Sequence, residues 1–233
     1  MERLDKRLAN TGKWSRKEAR DLIRAGRVAV NGSPCRVPEE KVSDTDQVAV
    51  DGAALAPAGP VYLMLHKPAG VVSSTDEPGA ETVLDLLGEE YQKIGLFPAG
   101  RLDKDTEGLL LLTNDGPLAH RLLVPKSHVD KVYYVEVDGV LDGADVEAVR
   151  AGITLADGYE CLPAELEVLS GNAAYITLHE GKYHQVKRML AARGKPVTYL
   201  KRVRFGPLEL DESLPRGGWR ALTGAEIQAF FRQ

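Results

Sequence analysis

The spacing of apolar residues predicts two differently built parts of the chain. In residues 1–52, apolar residues recur at helical spacing and are followed by short valine-rich strand signals. From residue 61 onward most apolar segments predict strands. Residues 131–137 alternate as in a half-buried strand, and the four leucines at 109–112 predict a strand buried on both faces. Because the strands come in runs with helices between them, we predict an α+β fold with flanking helices on a mixed, largely antiparallel sheet.

Capping signals mark where several predicted helices begin. Residues 15–18 and 223–226 match the capping-box pattern, and Asp142 is a candidate cap for a helix that runs through residue 150. A further short helix is predicted over residues 82–87.

A linker separates the two parts of the chain. Residues 53–60 contain little charge and show no apolar period, which is typical of a connection between domains. We therefore predict a small domain over residues 1–52 and a larger one over residues 61–233.

Composition favours a cytoplasmic protein. Cys35 and Cys161 lie in dissimilar surroundings without metal-ligand spacing, so we expect two ordinary thiols and no metal site. No apolar run is long enough to span a bilayer, and the N-terminal residues lack the apolar segment of a signal peptide. We expect no membrane partner.

The charge is unevenly distributed, although the net charge of the whole chain is only −4. Residues 1–36 contain ten Lys or Arg against four acidic residues, and residues 182–204 contain eight and no acidic residue. Within the first segment, Arg16, Arg20 and Arg24 recur every fourth residue and would form a basic stripe on one helix. Two concentrated basic patches on an acidic body are typical of a protein that binds RNA or DNA.

The loop before the leucine strand is the first candidate for chemistry. Arg101, Asp103 and Asp105 lie in a glycine-bounded segment that leads directly into the buried strand at 109–112. A carboxylate in such a loop is held rigidly, as catalysis requires. The simpler alternative is a turn whose aspartates only satisfy backbone groups.

Two motif matches at this loop compete with that interpretation. The loop resembles the nucleophile loop of haloacid dehalogenase-type phosphatases, with Asp103 as the nucleophile, but no hydrophobic strand directly precedes it. Asp103, Asp105, Glu107 and Gly108 also match the opening of an EF-hand calcium loop, but position twelve would be Asn114 rather than a glutamate. Both matches lie in the wrong context.

Motifs along the whole chain point to a known family. The N-terminal segments Arg-Leu-Asp-Lys-Arg-Leu, Ser-Arg-Lys-Glu-Ala and Val-Asn-Gly resemble the S4 RNA-binding domain. Four further motifs resemble those of bacterial rRNA pseudouridine synthases of the RsuA family: Lys67-Pro-x-Gly70, Gly100-Arg-Leu-Asp103-x-x-Thr-x-Gly-Leu-Leu, Lys131-x-Tyr133 and Lys182-Tyr-His-Gln-Val-Lys187-Arg-Met. The last motif looks like the branch that modifies small-subunit rRNA.

The resemblance implies a catalytic site that needs no metal and no cofactor. Asp103 would be the catalytic carboxylate acting on a flipped-out uridine, and Tyr133 would stack on the uracil. Lys187 would pair with Asp103 and keep it ionised, although it could instead be one more phosphate contact. Arg101 would occupy the position that the uridine leaves. We expect His184 to begin a helix rather than to catalyse.

The expected RNA contacts and loop supports lie outside these four residues. Asp105 and Thr106 would brace the loop through backbone hydrogen bonds. The residues expected to contact RNA, besides Arg101, are Arg16, Lys17, Arg20, Arg24, Arg27, Lys182, Arg188 and Arg202.

The resemblance also implies a substrate. It is a uridine of 16S rRNA, at a site of the uridine-516 type, presented on a small-subunit assembly intermediate. Nothing in the sequence indicates oligomerisation, so we expect a monomer. The alternatives are a synthase of the same family that acts on 23S rRNA, and a non-catalytic RNA-binding assembly factor.

Overall fold

The computed structural model describes residues 1–43, 46–55, 59–88, 91, 94–124, 127 and 129–232. Its helices are α1 (Leu4–Ala9), α2 (Arg16–Arg24), α3 (Gly116–Leu123), α4 (Gly143–Ala151), α5 (Gln185–Ala192) and α6 (Gly224–Phe231). Its strands are β1 (Glu2–Arg3), β2 (Val28–Val30), β3 (Ser33–Cys35), β4 (Lys41–Val42), β5 (Val48–Val50), β6 (Ala53–Ala54), β7 (Tyr62–Lys67), β8 (Phe97–Pro98), β9 (Glu107–Thr113), β10 (Lys131–Val137), β11 (Glu165–Ser170), β12 (Ala173–Leu178), β13 (Val197–Phe205), β14 (Leu208–Glu209) and β15 (Trp219–Ala221). Within these described residues, no helix has the length and apolar character needed to cross a bilayer.

Residue contacts divide the chain into two compact units. The first consists of Met1–Val61, Leu84–Phe97 and Thr113–Asp115, and the second of Tyr62–Val83, Pro98–Leu112 and Gly116–Gln233.

The first unit combines two helices with a small sheet. The predicted capping box begins α2, where Ser15 Oγ accepts a hydrogen bond from the Glu18 N–H and the Glu18 carboxylate accepts one from the Ser15 N–H. An antiparallel sheet of order β3-β2-β5-β6 contains both valine-rich strands that the sequence predicts. Helices and sheet share one buried core, formed by Leu4, Leu8, Ala19, Ile23, Val28, Val42, Val48 and Val50.

A buried carboxylate organises the arginines of this unit. The Asp5 side chain is fully buried and accepts hydrogen bonds from Arg3 at 2.9 Å, Arg20 at 3.0 Å and Arg16 at 3.5 Å. Burial by itself would raise the pKa of Asp5, but Arg3, Arg20 and Arg16 hold it well below its usual range. The ionised carboxylate therefore stabilises the fold.

Replacing Asp5 with Asn is expected to lower the free energy of unfolding by about 1–3 kcal/mol at pH 7. Because the folded pKa of Asp5 is depressed, its stabilisation is complete above the unfolded pKa of about 4 and is lost as the pH falls below it. Urea unfolding, followed through Trp14 in a Trp219→Phe background, measures both effects. Trp14 suits this purpose since it packs on the core of the first unit.

The matched control is Asp51→Asn, which removes a carboxylate from an exposed pair with Arg27. Such a pair contributes at most about 1 kcal/mol. Equal losses in the two variants, or an unchanged acid limb in Asp5→Asn, would contradict the assigned role of Asp5.

The second unit is built on the mixed sheet that the sequence predicts. Its strand order is β11-β12-β10-β13-β9-β7-β15, with β14 beside β13 and β8 beside β9. Strands β9 and β13 run parallel, whereas β10 pairs antiparallel with both β12 and β13. The four leucines of β9 are fully buried, which confirms the predicted two-sided burial.

The prediction of a helix over residues 82–87 is wrong. These residues form turns, and Thr82 pairs with Val72 in a parallel bridge. The Val83 N–H donates to the Val72 carbonyl at 3.0 Å, and the Val72 N–H donates to the Glu81 carbonyl at 2.9 Å. This long-range pairing holds residues 81–83 against residue 72, and the chain continues from there in turns instead of a helix.

Candidate active site

Asp103 lies in the loop between β8 and β9, and the segment after β7 holds this loop by its backbone. Ser73 Oγ donates to the Leu102 carbonyl at 2.9 Å and accepts from the Leu102 N–H at 3.1 Å. The Gly70 N–H donates to the Lys104 carbonyl at 2.7 Å. The backbone on both sides of Asp103 is therefore fixed from outside the loop.

Lys67, the last residue of β7, is the third anchor of the loop. Its side chain is fully buried, and its ammonium donates to the carbonyl oxygens of Pro68, Lys104 and Thr106 at 2.9, 3.2 and 2.9 Å. Burial lowers the pKa of Lys67 to about 8, while nearby acidic residues oppose the shift. Three acceptors around one ammonium explain how a buried lysine is tolerated here.

Lys187 on α5 binds both aspartates of the loop. Its Nζ lies 3.0 Å from Asp103 Oδ2 and also donates to Asp105 Oδ1. Burial opposes the charge of Lys187, but the two carboxylates raise its pKa above the usual value. The side chain of Asp103 is 25% exposed and that of Asp105 is 74% exposed, so the two carboxylates differ in their access to water.

The brace expected from Asp105 and Thr106 differs from the one observed. The main partner of the Asp105 carboxylate is the Lys187 ammonium, which lowers the pKa of Asp105. Thr106 Oγ1 is buried and has no hydrogen-bond partner among the described residues, although the Thr106 N–H donates to the Asp103 carbonyl at 3.1 Å. The backbone hydrogen bond of Thr106 therefore agrees with the expectation, but the side chains of Asp105 and Thr106 do not supply the brace, and the further anchors come from a segment some thirty residues earlier in the chain.

A cavity of about 680 Å³ opens beside Asp103. Tyr133 on β10 lines it and is 9% exposed, whereas Tyr134 lies on the opposite face of the strand as the alternation predicts. Arg101 is exposed and lines the same cavity, as does Lys182. The structure therefore brings Asp103, Tyr133 and Arg101 to one cavity, with Lys187 bonded to its carboxylate.

His184 and Tyr183 form the entrance to α5. His184 precedes the helix in a left-handed conformation, with φ 50° and ψ 36°, and its Nε2 lies 3.5 Å from Asp103 Oδ1. The Tyr183 ring stacks on the His184 ring at a centroid distance of 3.9 Å and is 76% exposed. An exposed aromatic ring is thus held beside the cavity.

Arg202 is not placed as expected. The sequence predicts an RNA contact for Arg202, but the residue is only 2% exposed and its Nε donates to the Leu109 carbonyl at 2.8 Å, so it does not belong to the exposed basic surface. The physical reason is that Arg202 lies opposite Tyr133 in the register of β10 and β13, and its guanidinium is held by the Leu109 carbonyl and lies over the Phe205 ring. Arg202 nevertheless lines the cavity beside Asp103 from below.

The other residues predicted to contact RNA differ in whether an acidic side chain of the protein already pairs with them. Arg16 and Arg20 bind the buried Asp5, so two of the three stripe arginines are partly neutralised within the fold. Arg27 pairs with Asp51, and Arg188 pairs with Asp157. Lys17, Arg24 and Lys182 are exposed, and the Lys182 ammonium lies 4.8 Å from the centre of the Tyr159 ring.

The geometry disfavours both competing motif matches. Glu107 does not turn towards Asp103 as an EF-hand ligand would, because its carboxylate accepts hydrogen bonds from Tyr199 and Arg216 at 2.8 Å each. A buried strand, not a helix, follows the loop. For the phosphatase match, Asp103 would have to follow a long hydrophobic strand, but only the two-residue β8 precedes it.

Several supporting residues escaped the sequence analysis. Ser73 has no motif of its own, and only its position in space links it to the loop of Asp103. Glu180 is buried and accepts hydrogen bonds from Tyr159, Gln185 and the Leu162 N–H. In the sequence, the signal for this second network was a glutamate just before the Lys182 motif.

Comparisons with known proteins agree with this architecture. A family model of RNA pseudouridylate synthase matches residues 61–192, and a model of the S4 domain matches residues 2–48. The chain belongs to the RNA pseudouridine synthase family and is an isomerase that acts on RNA.

Two relatives and one solved structure illustrate the similarity. Ribosomal small subunit pseudouridine synthase A of Pseudomonas aeruginosa is 44% identical, covering 97% of this chain and 98% of the relative. Ribosomal large subunit pseudouridine synthase B of Bacillus subtilis is 40% identical, covering 98% and 95%. A crystal structure of a pseudouridylate synthase aligns with a TM-score of 0.71 at 37% identity, covering 99% of this chain and all of the other.

Proposed function

We propose that this synthase isomerises one uridine of small-subunit rRNA and that Asp103 is its catalytic carboxylate. The observation that supports the assignment most directly is the 3.0 Å contact between Asp103 and Lys187 at the wall of a cavity that Tyr133 also lines. A paired ammonium favours the ionised carboxylate, which is the form that can act on the nucleoside.

The reaction sets requirements that these residues meet. Pseudouridine forms when the base of uridine leaves its ribose and rejoins it through C5, with loss of the C5 hydrogen. The chemistry needs a carboxylate at the nucleoside, a pocket that retains the free uracil, and proton transfer. We assign Asp103 to the first role and Tyr133, stacked on the uracil, to the second and third.

The uridine has to leave its stack before it can reach Asp103. Arg101 is exposed, lines the cavity and lies two residues from Asp103. We assign it to the space that the uridine leaves and to the adjacent phosphate. The unstacked uracil would then lie in the cavity against the ring of Tyr133.

We assign RNA anchoring to an S4-like domain of residues 1–52 and catalysis to a domain of residues 61–233. Of the predicted linker over residues 53–60, Ala53–Ala54 instead form β6 of the small sheet, and residues 56–58 lie outside the described residues. Exposed Lys17 and Arg24 supply cations in the first domain, and Lys182 supplies one in the second. Two moderate electrostatic sites on one chain raise the effective affinity for a long RNA without base-specific contacts.

The motif around Lys182 and Lys187 supports small-subunit rRNA. Our proposal also includes a site of the uridine-516 type, a partly assembled particle as substrate, and a monomeric enzyme. The relative from Pseudomonas aeruginosa bears a small-subunit name, while the one from Bacillus subtilis bears a large-subunit name. Action on 23S rRNA is therefore the second candidate.

Tritium release from RNA labelled at uridine C5 tests the proposal, because bonding of C5 to the ribose expels that hydrogen. The substrates are 16S and 23S rRNA, each tested bare and partly assembled, with EDTA present. Release from the small-subunit RNA alone is the expected result. Release from 23S rRNA alone would transfer the assignment to the large subunit, and release from neither would overturn the rRNA assignment.

A further inference from the structure

Two buried cations form the floor of the cavity beside Asp103. Lys131 on β10 is 7% exposed and Arg202 on β13 is 2% exposed, and both line the cavity. Lys131 is paired across the strands with Phe205, and Arg202 is paired with Tyr133. The two cations therefore lie next to the tyrosine that we assign to the uracil.

Neither cation is hydrogen-bonded to a carboxylate among the described residues. Arg202 Nη2 is buried there without a hydrogen-bond partner, and Lys131 Nζ donates to the Val129 carbonyl at 3.1 Å, while Asp130 and Glu180 act on Lys131 through their charge. Both charges also lie over the Phe205 ring, with Arg202 Cζ at 4.9 Å and Lys131 Nζ at 5.7 Å from its centre. In the part of the chain that the structure describes, neither residue forms an ion pair.

Both acidic residues that line the cavity already have bonding partners within the protein. Its charged lining consists of Arg101, Lys104, Lys131, Lys182 and Arg202 against Asp103 and Glu180. Asp103 is bound to Lys187, and Glu180 accepts three hydrogen bonds from Tyr159, Gln185 and a backbone N–H. The donors to Glu180 are neutral and leave its charge in place, but the five cationic side chains of the lining still outnumber its two carboxylates.

A buried cation without a bonded anion is costly. We therefore expect an anionic ligand to supply the counter-charge when the cavity is filled. Removing an ammonium or guanidinium from water costs several kcal/mol unless an anion and further hydrogen bonds compensate. A phosphate compensates well, because it offers several acceptor oxygens to the planar guanidinium and to the ammonium.

We propose that Lys131 and Arg202 form a phosphate-binding floor that holds a backbone phosphate of the RNA next to the flipped uridine. This inference rests on the proposed function, because it takes the occupant of the cavity to be a nucleotide within an RNA strand. It differs from the surface contacts in position: the phosphate is held inside the cavity, beside Tyr133.

The substitution Lys131→Met tests the floor, with Lys201→Met as its matched control. Lys201 is also a lysine of this sheet but pairs with Tyr134, on the other face, and binds Glu212. Each variant removes one positive charge.

For Lys131→Met we expect the KM of tritium release to rise roughly tenfold, with kcat at saturating RNA changed much less. The slope of log affinity against log salt is expected to fall by about 0.7–0.9, as for one lost phosphate contact. Lys201→Met is expected to retain the wild-type KM and slope.

Thermal unfolding without RNA separates this role from a structural one. With inorganic phosphate added at constant ionic strength, the Tm of the wild type is expected to rise more than that of Lys131→Met. Without phosphate, the Tm of the variant is expected to be no lower than that of the wild type, because a buried charge has been removed. If Lys131→Met does not fold, Lys131→Gln removes the charge while keeping a donor for the Val129 carbonyl.

The outcomes distinguish the two proposals. Wild-type protein that releases no tritium from any RNA would overturn the proposed function and this inference with it. An active wild type with Lys131→Met equal to Lys201→Met in KM and salt slope would overturn the floor alone. A lower Tm with an unchanged salt slope would make Lys131 a structural residue.

Discussion

Asp103→Asn is expected to reduce tritium release by at least about 10³-fold, since a missing catalytic carboxylate removes the step that acts on the nucleoside. The substitution keeps the size of the side chain and can still accept a hydrogen bond from Lys187. Single-turnover rates with the RNA that the wild type modifies are the measurement. RNA affinity at fixed salt is expected to stay within a few-fold of the wild type.

Asp105→Asn is the control that shares the same loop and the same lysine. Its side chain is 74% exposed, and it too contacts Lys187 Nζ. A loss of less than about tenfold is expected, because an exposed ion pair contributes at most about 1 kcal/mol. If both variants lose activity to the same extent, the loop depends on the shared ion pair and not on Asp103 as the reacting group.

Gly108→Ala is expected to destabilise the protein by at least about 3 kcal/mol, the range of severe steric substitutions. A Cβ at this position would lie 2.2 Å from the Arg202 carbonyl oxygen and 2.6 Å from the Arg202 nitrogen, both of them backbone atoms. The φ of Gly108 is +106°, which residues with a Cβ rarely adopt. Denaturant unfolding and Tm are the measurements.

Gly116→Ala provides the matched control. Gly116 is the first residue of α3, and a Cβ there would meet no atom within 4 Å. Its expected change in stability is within about 0.5 kcal/mol. If Gly108→Ala retained the wild-type Tm, strands β9 and β13 could not approach as closely as the structure places them at Arg202.

Local patterns were sufficient for much of the fold and for the choice of candidate residues. A capping box depends on residues only three positions apart, so the start of α2 at Ser15 could be predicted from the sequence. The burial of residues 109–112 follows from four apolar side chains in a row. Motifs within single segments point to Asp103, Tyr133 and Lys187 as candidate site residues.

Local sequence patterns could not predict how the charged side chains are arranged in the folded protein. Arg16 and Arg20 form a basic stripe in the sequence, but the fold places the carboxylate of Asp5 between them. Arg202 and Phe205 are buried with two less buried residues between them, because the register of β10 and β13 shifts between Val132 and Tyr133. Simple alternation cannot predict such a shift.

Short-range periodicity and motifs within single segments were enough to predict the class of fold, the family and the candidate residues for the chemistry. The contacts by which Lys67 and Ser73 hold the loop of Asp103, and the position of two buried cations at its cavity, arise only when distant strands pack together. The hydrogen bond of Ser73 with Leu102 joins residues 29 positions apart, and that of Arg202 with Leu109 joins residues 93 positions apart. No local pattern specifies which distant strands will become neighbours.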